Sequence, residues 1–361
     1  MNVVYALVIF VPIAIVLHFT GIGGDVAVFV TSAIALVPLA ALLGRATDET
    51  ATYTGPQIGA LLNATLGNAA ELIITIAALR QGFVHVVKAS IAGSIIGNIL
   101  IVLGASMLFG GLKHGTQRFD AQAARTSSTM MALAVLALVI PAVFALGEAA
   151  HRPSERDIAW LSDGLAIVLI VIYLLYLLFS LRRPSVAPVD RRRRRRRGES
   201  AHQEHGPPTM ALKWAMALLT VSTLAIVFMS ELLIGALEPT VKQWGLSEMF
   251  VGVMLIPLVG NTAEHLVAVQ AAIDDKMDLA MGIAIGSGLQ IALFVTPVLV
   301  WTGLLVGRRM TLVFNSFELI ALVAASVTAV LISVDGESNW LEGAILLALA
   351  VMLGIAFFVV P

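Results

Sequence analysis

Residues 61–79 read LLNATLGNAAELIITIAAL, an almost wholly apolar run interrupted by Asn63, Asn68 and Glu71. A bilayer is spanned by roughly 20 mostly apolar residues in a helix, which satisfies its own backbone polar groups. A carboxylate inside such a span is costly and marks function by default. The reading of this stretch therefore depends on whether lipid is the solvent of the whole chain.

Composition says that it is. The chain has 361 residues, 59% of them hydrophobic and only 12% charged, against about 25% charged in ordinary soluble domains. So few charges cannot cover a water-facing surface. There is no cysteine, which excludes a disulfide framework and any thiolate metal site. Nothing in this balance points to nucleic acid as a partner. The N-terminal MNVVYALVIF has no basic region and no small-residue cleavage site after it, so it reads as a first span and not as a removable signal.

Apolar runs bounded by Gly, Pro and charged clusters predict eleven spans, at about 2–19, 25–44, 55–79, 86–109, 126–147, 158–181, 211–235, 247–272, 278–303, 311–333 and 340–360. The fold class is thus an all-α integral membrane protein. One segment breaks the pattern: RRPSVAPVDRRRRRRRGESAHQEHGPP, residues 182–208, with seven consecutive arginines. Its composition reads as a flexible linker, either a plain topology anchor or a binder of anionic headgroups. Lys and Arg accumulate on the cytoplasmic side. With the linker inside, six spans before it place the N-terminus inside, and five after it place the C-terminus outside.

A repeat changes the problem. GNAAEL at 67–72 returns as GNTAEH at 260–265, an offset of 193 residues. The same offset pairs Gly59 with Gly252, Gly93 with Gly286 and Ser94 with Ser287. Packing can repeat glycine, but it has little reason to repeat a glutamate in hydrocarbon. The motifs fall in the third and eighth spans. An odd separation sets spans 2–6 and 7–11 across the membrane in opposite senses, an inverted repeat of the kind used by transporters. The expected parts are an extra helix at 1–24, repeats at 25–181 and 211–361, and a cytoplasmic linker at 182–210.

Asn68 and Glu71 lie three residues apart on one helix face, as do Asn261 and Glu264. Gly67 and Gly260 precede them and could loosen the helix to expose a carbonyl. Two such faces offer two carboxylates, two amide oxygens and backbone carbonyls. An all-oxygen, doubly anionic cage favours Ca²⁺ over zinc or Mg²⁺, with Mn²⁺ as an alternative. Two apposed carboxylates repel each other and lack hydration, and both effects favour protonation of the empty pair. One Ca²⁺ or two protons neutralise it, and that competition is the minimum needed for exchange.

Other polar residues have two readings each. Ser94 and Ser287 either line the site or, with Gly93 and Gly286, permit close helix approach. Asn98 and Gln290 are lone amides that either line the site or join helices. His265, whose counterpart is Leu72, titrates near neutral pH and is either a proton relay or gate, or a satisfied buried histidine. Glu231 and Glu318 could assist proton access, though Glu231 stands near a helix end. An intramembrane enzyme is not expected. There is no HExxH motif, and GIGGD at 21–25 falls in a predicted loop.

The motifs GNAAELIITIAAL and GNTAEHLVAV, with ASIAGSIIGNILIVLG and MGIAIGSGLQIALFVTP, resemble the cation/proton exchanger branch of the calcium/cation antiporter superfamily. QRFDAQAARTSS, FNSFELIAL and DGESNWLEG are similar to it too, and the resemblance runs from about Glu49 to Phe358. It implies a Ca²⁺/H⁺ antiporter of eleven helices with two inverted five-helix halves and no cofactor. Glu71 and Glu264 match the family's central carboxylates, and Asn68 and Asn261 their amide neighbours. Ser94, Ser287 and Gln290 fall in its second motif, and His265 matches its EH pair. Sodium-coupled relatives typically carry proline beside the glutamate, whereas Ala70 and Ala263 stand here, which favours protons. Family members often have an acidic segment between the halves, and this linker is basic.

The expected function is export of cytosolic Ca²⁺ in exchange for protons by alternating access. A sodium-coupled exchanger and a passive cation channel are the alternatives. The short termini favour a prokaryotic cell membrane over a vacuolar one, and a homo-oligomer is left open.

Overall fold

The computed structural model describes residues 2–146, 153–182 and 208–359, and the arginine run lies outside the described residues. The described chain is almost entirely helical. Among the described residues, eight helices are long and apolar enough to cross a membrane: α2 (Gly24–Thr54), α5 (Val84–His114), α6 (Ala121–Leu146), α7 (Glu155–Phe179), α8 (Leu212–Gly235), α10 (Glu248–Ile273), α11 (Met277–Leu305) and α13 (Trp340–Val359). Two shorter apolar helices are α1 (Val4–Thr20) and α12 (Ser316–Ile332). A broken pair, α3 (Pro56–Leu66) and α4 (Ala69–Arg80), carries the first motif, and α9 (Leu237–Trp244) is a short connector.

Local signals set the ends. α1 stops at Gly21, whose φ of 70° is left-handed. The Asn315 side chain and Glu318 form a capping box at the start of α12, and Ser247 Oγ accepts from Phe250 N at 3.1 Å ahead of α10. Loops at one end are joined by a two-residue pairing of β1 (Gln117–Arg118) with β2 (Glu337–Ser338).

Two helices form the interior. The apolar windows of α5 and α11 are 72% buried, against 22% for α7 and α13 on the outside. α8 lies along α2, α13 along the second half of α5, and α12 along α6. Close approach depends on glycine: a Cβ on Gly111 would stand 2.4 Å from Trp340 N, and one on Gly343 2.3 Å from Leu108 N. Both interior helices contain a π-helical stretch, Asn98–Leu103 in α5 and Ile291–Val295 in α11, and their first residues are again 193 apart. π-bulges are rare and frequent at functional sites.

The structure departs from the sequence reading in two places. The second span does not stop at residue 44, because α2 continues to Thr54. Charge in RATDETATYT ended the apolar run, but the added turns are held by packing: Thr47 and Glu49 are buried. Glu49 Oε2 accepts from Thr209 N at 3.0 Å, and Tyr53 OH donates to Met210 O at 2.7 Å. These contacts tie the residues after the linker to the end of α2. The third span is also not one helix, since it breaks at Gly67–Asn68. Its counterpart α10 runs through Gly260 without a break and has its π-helical stretch earlier, at Val251–Leu255. The expectation that both glycines loosen the helix therefore holds on one side only.

Candidate functional site

The two motif helices meet at their glycines. A Cβ on Gly67 would stand 3.3 Å from Glu264 Oε1, and one on Gly260 would stand 3.5 Å from both Cα and Cβ of Glu71. A side chain at Gly67 would press on Glu264 Oε1, whereas one at Gly260 would only touch Glu71. Sequence equivalence thus becomes proximity: Glu71, Glu264, Asn68, Asn261, Ser94 and Ser287 form one cluster between α4, α5, α10 and α11.

Hydrogen bonds cross between the halves. Asn261 Nδ2 donates to Ser94 Oγ at 3.2 Å, and Ser94 Oγ donates to Glu71 Oε1. On the other side, Ser287 Oγ donates to Asn68 Oδ1 at 3.1 Å, and Asn68 Nδ2 donates to Gln290 Oε1 at 2.7 Å. Asn98 Nδ2 reaches Ser287 Oγ at 3.1 Å. Glu71 is 1% exposed, as are Asn68, Ser94 and Asn98, whereas Glu264 is partly exposed.

The donor chemistry fits a hard cation. Glu71 Oε2 and Glu264 Oε2 are buried without a hydrogen-bond partner. Buried polar atoms are ordinarily paired, so one carboxylate oxygen on each half is an unsatisfied acceptor. Carboxylate, amide and hydroxyl oxygens are the set that Ca²⁺ accepts.

The remaining candidates sit apart from the pair. His265 lines a cavity with Ser94, Gly97, Pro257, Asn261 and Phe357 and hydrogen-bonds to none of the cluster. Glu231 accepts from Arg80 Nη1 at 2.8 Å and from Gln81 Nε2 at 3.2 Å, where α4 and α8 end. Glu318 is buried and accepts from Asn315 N at 2.8 Å. It shares a second cavity with His85, Lys88 and Glu248. The sequence reading passed over Lys88, whose Nζ donates to Val313 O at 2.9 Å and Thr311 Oγ1 at 3.2 Å. A lysine just inside a predicted span was the available signal.

Helix packing around the cluster is uneven. On one side α5 and α10 are locked together: a Cβ on Gly93 would stand 2.0 Å from Val253 O, and one on Gly252 would stand 2.5 Å from the Cβ of Ala89. The residues of α11 equivalent to Gly93 and Ala89 are Gly286 and Gly282, and a Cβ on either would meet nothing within 4 Å.

The profile of the sodium/calcium exchanger protein family matches residues 25–182 and 214–359. The chain belongs to this family. Within it, the chain is 43% identical to a Ca(2+)/H(+) antiporter of Aphanothece halophytica, over 100% of this chain and 97% of the relative. It is 41% identical to the Ca(2+)/H(+) antiporter ChaA of Bacillus subtilis (strain 168), over 91% of each. The structure of native YfkE superimposes with a TM-score of 0.83 at 36% identity, covering 99% of this chain and 100% of that one.

Proposed function

We propose that this chain is a secondary active Ca²⁺/H⁺ antiporter of the cell membrane, and not an enzyme. The observation that carries the proposal is the convergence of Glu71 and Glu264, each with one buried carboxylate oxygen unpartnered, in a cage otherwise made of amides and hydroxyls. Two protons or one Ca²⁺ neutralise that cage, so loading one expels the other. The relatives named Ca(2+)/H(+) antiporter support protons as the coupling ion, as do Ala70 and Ala263 beside the glutamates.

The proposed architecture is an extra helix at 1–24, inverted five-helix repeats at 25–181 and 211–361, and a cytoplasmic linker at 182–210. The eight long helices, the two shorter ones and the broken α3–α4 pair supply eleven spans. Equivalent elements are five spans apart, so the halves run in opposite senses. Alternating access follows if the halves exchange roles. The side closed by Gly93 and Gly252 opens, and Gly286 and Gly282 close against α3 around Gly59. The contacts of Glu49 and Tyr53 with residues 209–210 support α3 lying at the linker end, and with a cytoplasmic linker the open side is the cytoplasmic one in this reading. Cytosolic Ca²⁺ displaces protons from Glu71 and Glu264 there, and external protons release it on the other side.

Calcium uptake into proteoliposomes under an imposed pH gradient tests the proposal. Uptake without sodium is expected. Uptake only with sodium would replace the coupling ion, and large passive currents would replace the transporter with a channel.

A further inference from the structure

Two amides break the symmetry of the central cluster. At the 193-residue offset the counterpart of Asn98 is Ile291, and the counterpart of Gln290 is Gly97. Although they lie on different helices, both bond to the same half-site. Donation runs from Asn98 to Ser287, from Ser287 to Asn68 and from Asn68 to Gln290. It begins and ends on the unmatched amides. In the other half-site it runs from Asn261 to Ser94 and ends on the Glu71 carboxylate. Ser287 is also within hydrogen-bonding reach of Glu264, and its hydroxyl stands 3.1 Å from Asn68 Oδ1 as donor.

We infer that Asn98 and Gln290 are positioning residues that bias the protein toward the conformation open at Gly282 and Gly286. The inference rests on alternating access between inverted halves. When the halves exchange roles, Ser287 gives its hydroxyl to Glu264, as Ser94 now does to Glu71. Ser94 turns to the Asn261 oxygen, as Ser287 now turns to Asn68. At that point Ser94 meets Ile291 where a donor would be needed, and Asn261 meets Gly97 where an acceptor would be needed. Two hydrogen bonds of the present conformation, one buried and one part-buried, therefore have no equivalent in the opposite one.

Each such bond shifts the balance of the two states about fivefold. The bias holds the site toward the side from which the proposed cargo is taken. The apparent affinity for a ligand falls with the fraction of protein in the competent state. Loss of the clasp therefore weakens Ca²⁺ loading from the linker side without removing a carboxylate.

The absence of cysteine from the chain allows single-thiol reporters. Val86 is fully buried, and its backbone packs on Gly252 in the closed crossing, so Val86→Cys reports opening there. Modification by a membrane-impermeant thiol reagent is measured from each side of oriented proteoliposomes, in parent, Asn98→Leu, Gln290→Met and Gln290→Glu backgrounds. In the parent, switching between calcium and proton loading is expected to move Val86→Cys labelling. A reporter that never responds would overturn alternating access itself. Given that response, Asn98→Leu and Gln290→Met are each expected to raise Val86→Cys labelling about fivefold. Gln290→Glu, which keeps the acceptor for Asn68, is expected to stay at the parent level. Unchanged labelling in both apolar variants would overturn the bias. An equal rise in Gln290→Glu would assign it to packing and overturn the clasp.

Discussion

Glu71 is buried and takes a hydroxyl from Ser94, whereas Glu264 is partly open and has its neighbour Ser287 turned toward Asn68. Ser94→Ala tests the value of the first contact. A hydrogen bond to a charged group contributes about 1.5–3 kcal/mol, so the variant is expected to bind Ca²⁺ about 10- to 100-fold more weakly in equilibrium titrations. Ser287→Ala removes a hydroxyl given to an amide and is expected to weaken binding by less than Ser94→Ala. The pairing of the two glutamates was legible because an intramembrane glutamate appears twice with the same asparagine. The unequal state of the two was not legible. It arises from Asn98 and Gln290, whose target is set by how α5 and α11 cross and not by their spacing in sequence. Glu231 and Glu318 looked alike on the page, as acids at span edges. Only the fold separates them into a partner for Arg80 and a capping residue buried near Lys88.

Glycine decides how the helices meet. Gly93→Ala would drive a methyl to within 2.0 Å of Val253 O, so the crossing of α5 and α10 cannot close. This variant is expected to lose transport and to expose Val86→Cys permanently from the side away from the linker. Gly286→Ala meets no atom in the present conformation. It is expected to fold and bind Ca²⁺ normally, yet to lose exchange, because the opposite state must pack that face of α11. Normal exchange by Gly286→Ala would show that α11 does not take over the closing role of α5. Helix positions followed well from apolar runs and their Gly and Pro boundaries. The break at Gly67–Asn68 and the extension of α2 to Thr54 did not. One depends on tertiary support for a loosened turn, and the other on burial of Glu49 and Thr47 among neighbours distant in sequence.

At the scale of the molecule, the proposal makes charge set orientation and neutralisation set exchange. Replacing Arg191–Arg197 by glutamine removes the strongest topological signal. A mixed orientation is expected, read as partial protection of the linker from protease added outside. Exchange by correctly inserted molecules should be unchanged. Proton competition makes Ca²⁺ binding weaken as pH falls, by about tenfold per pH unit for each proton displaced. The proposed inverted arrangement rests on the repeat, in which only polar residues had to be matched. The proposed opening side rests on the packing at Gly93 and Gly286 and not on the sequence. The most direct measurement is the number of protons released per Ca²⁺ bound by the purified protein, by calorimetry in buffers of different ionisation enthalpy. Proton release on binding is expected in the parent, with binding and release both lost in Glu71→Gln and in Glu264→Gln. Calcium binding that releases no protons, or that survives either substitution unchanged, would contradict the account.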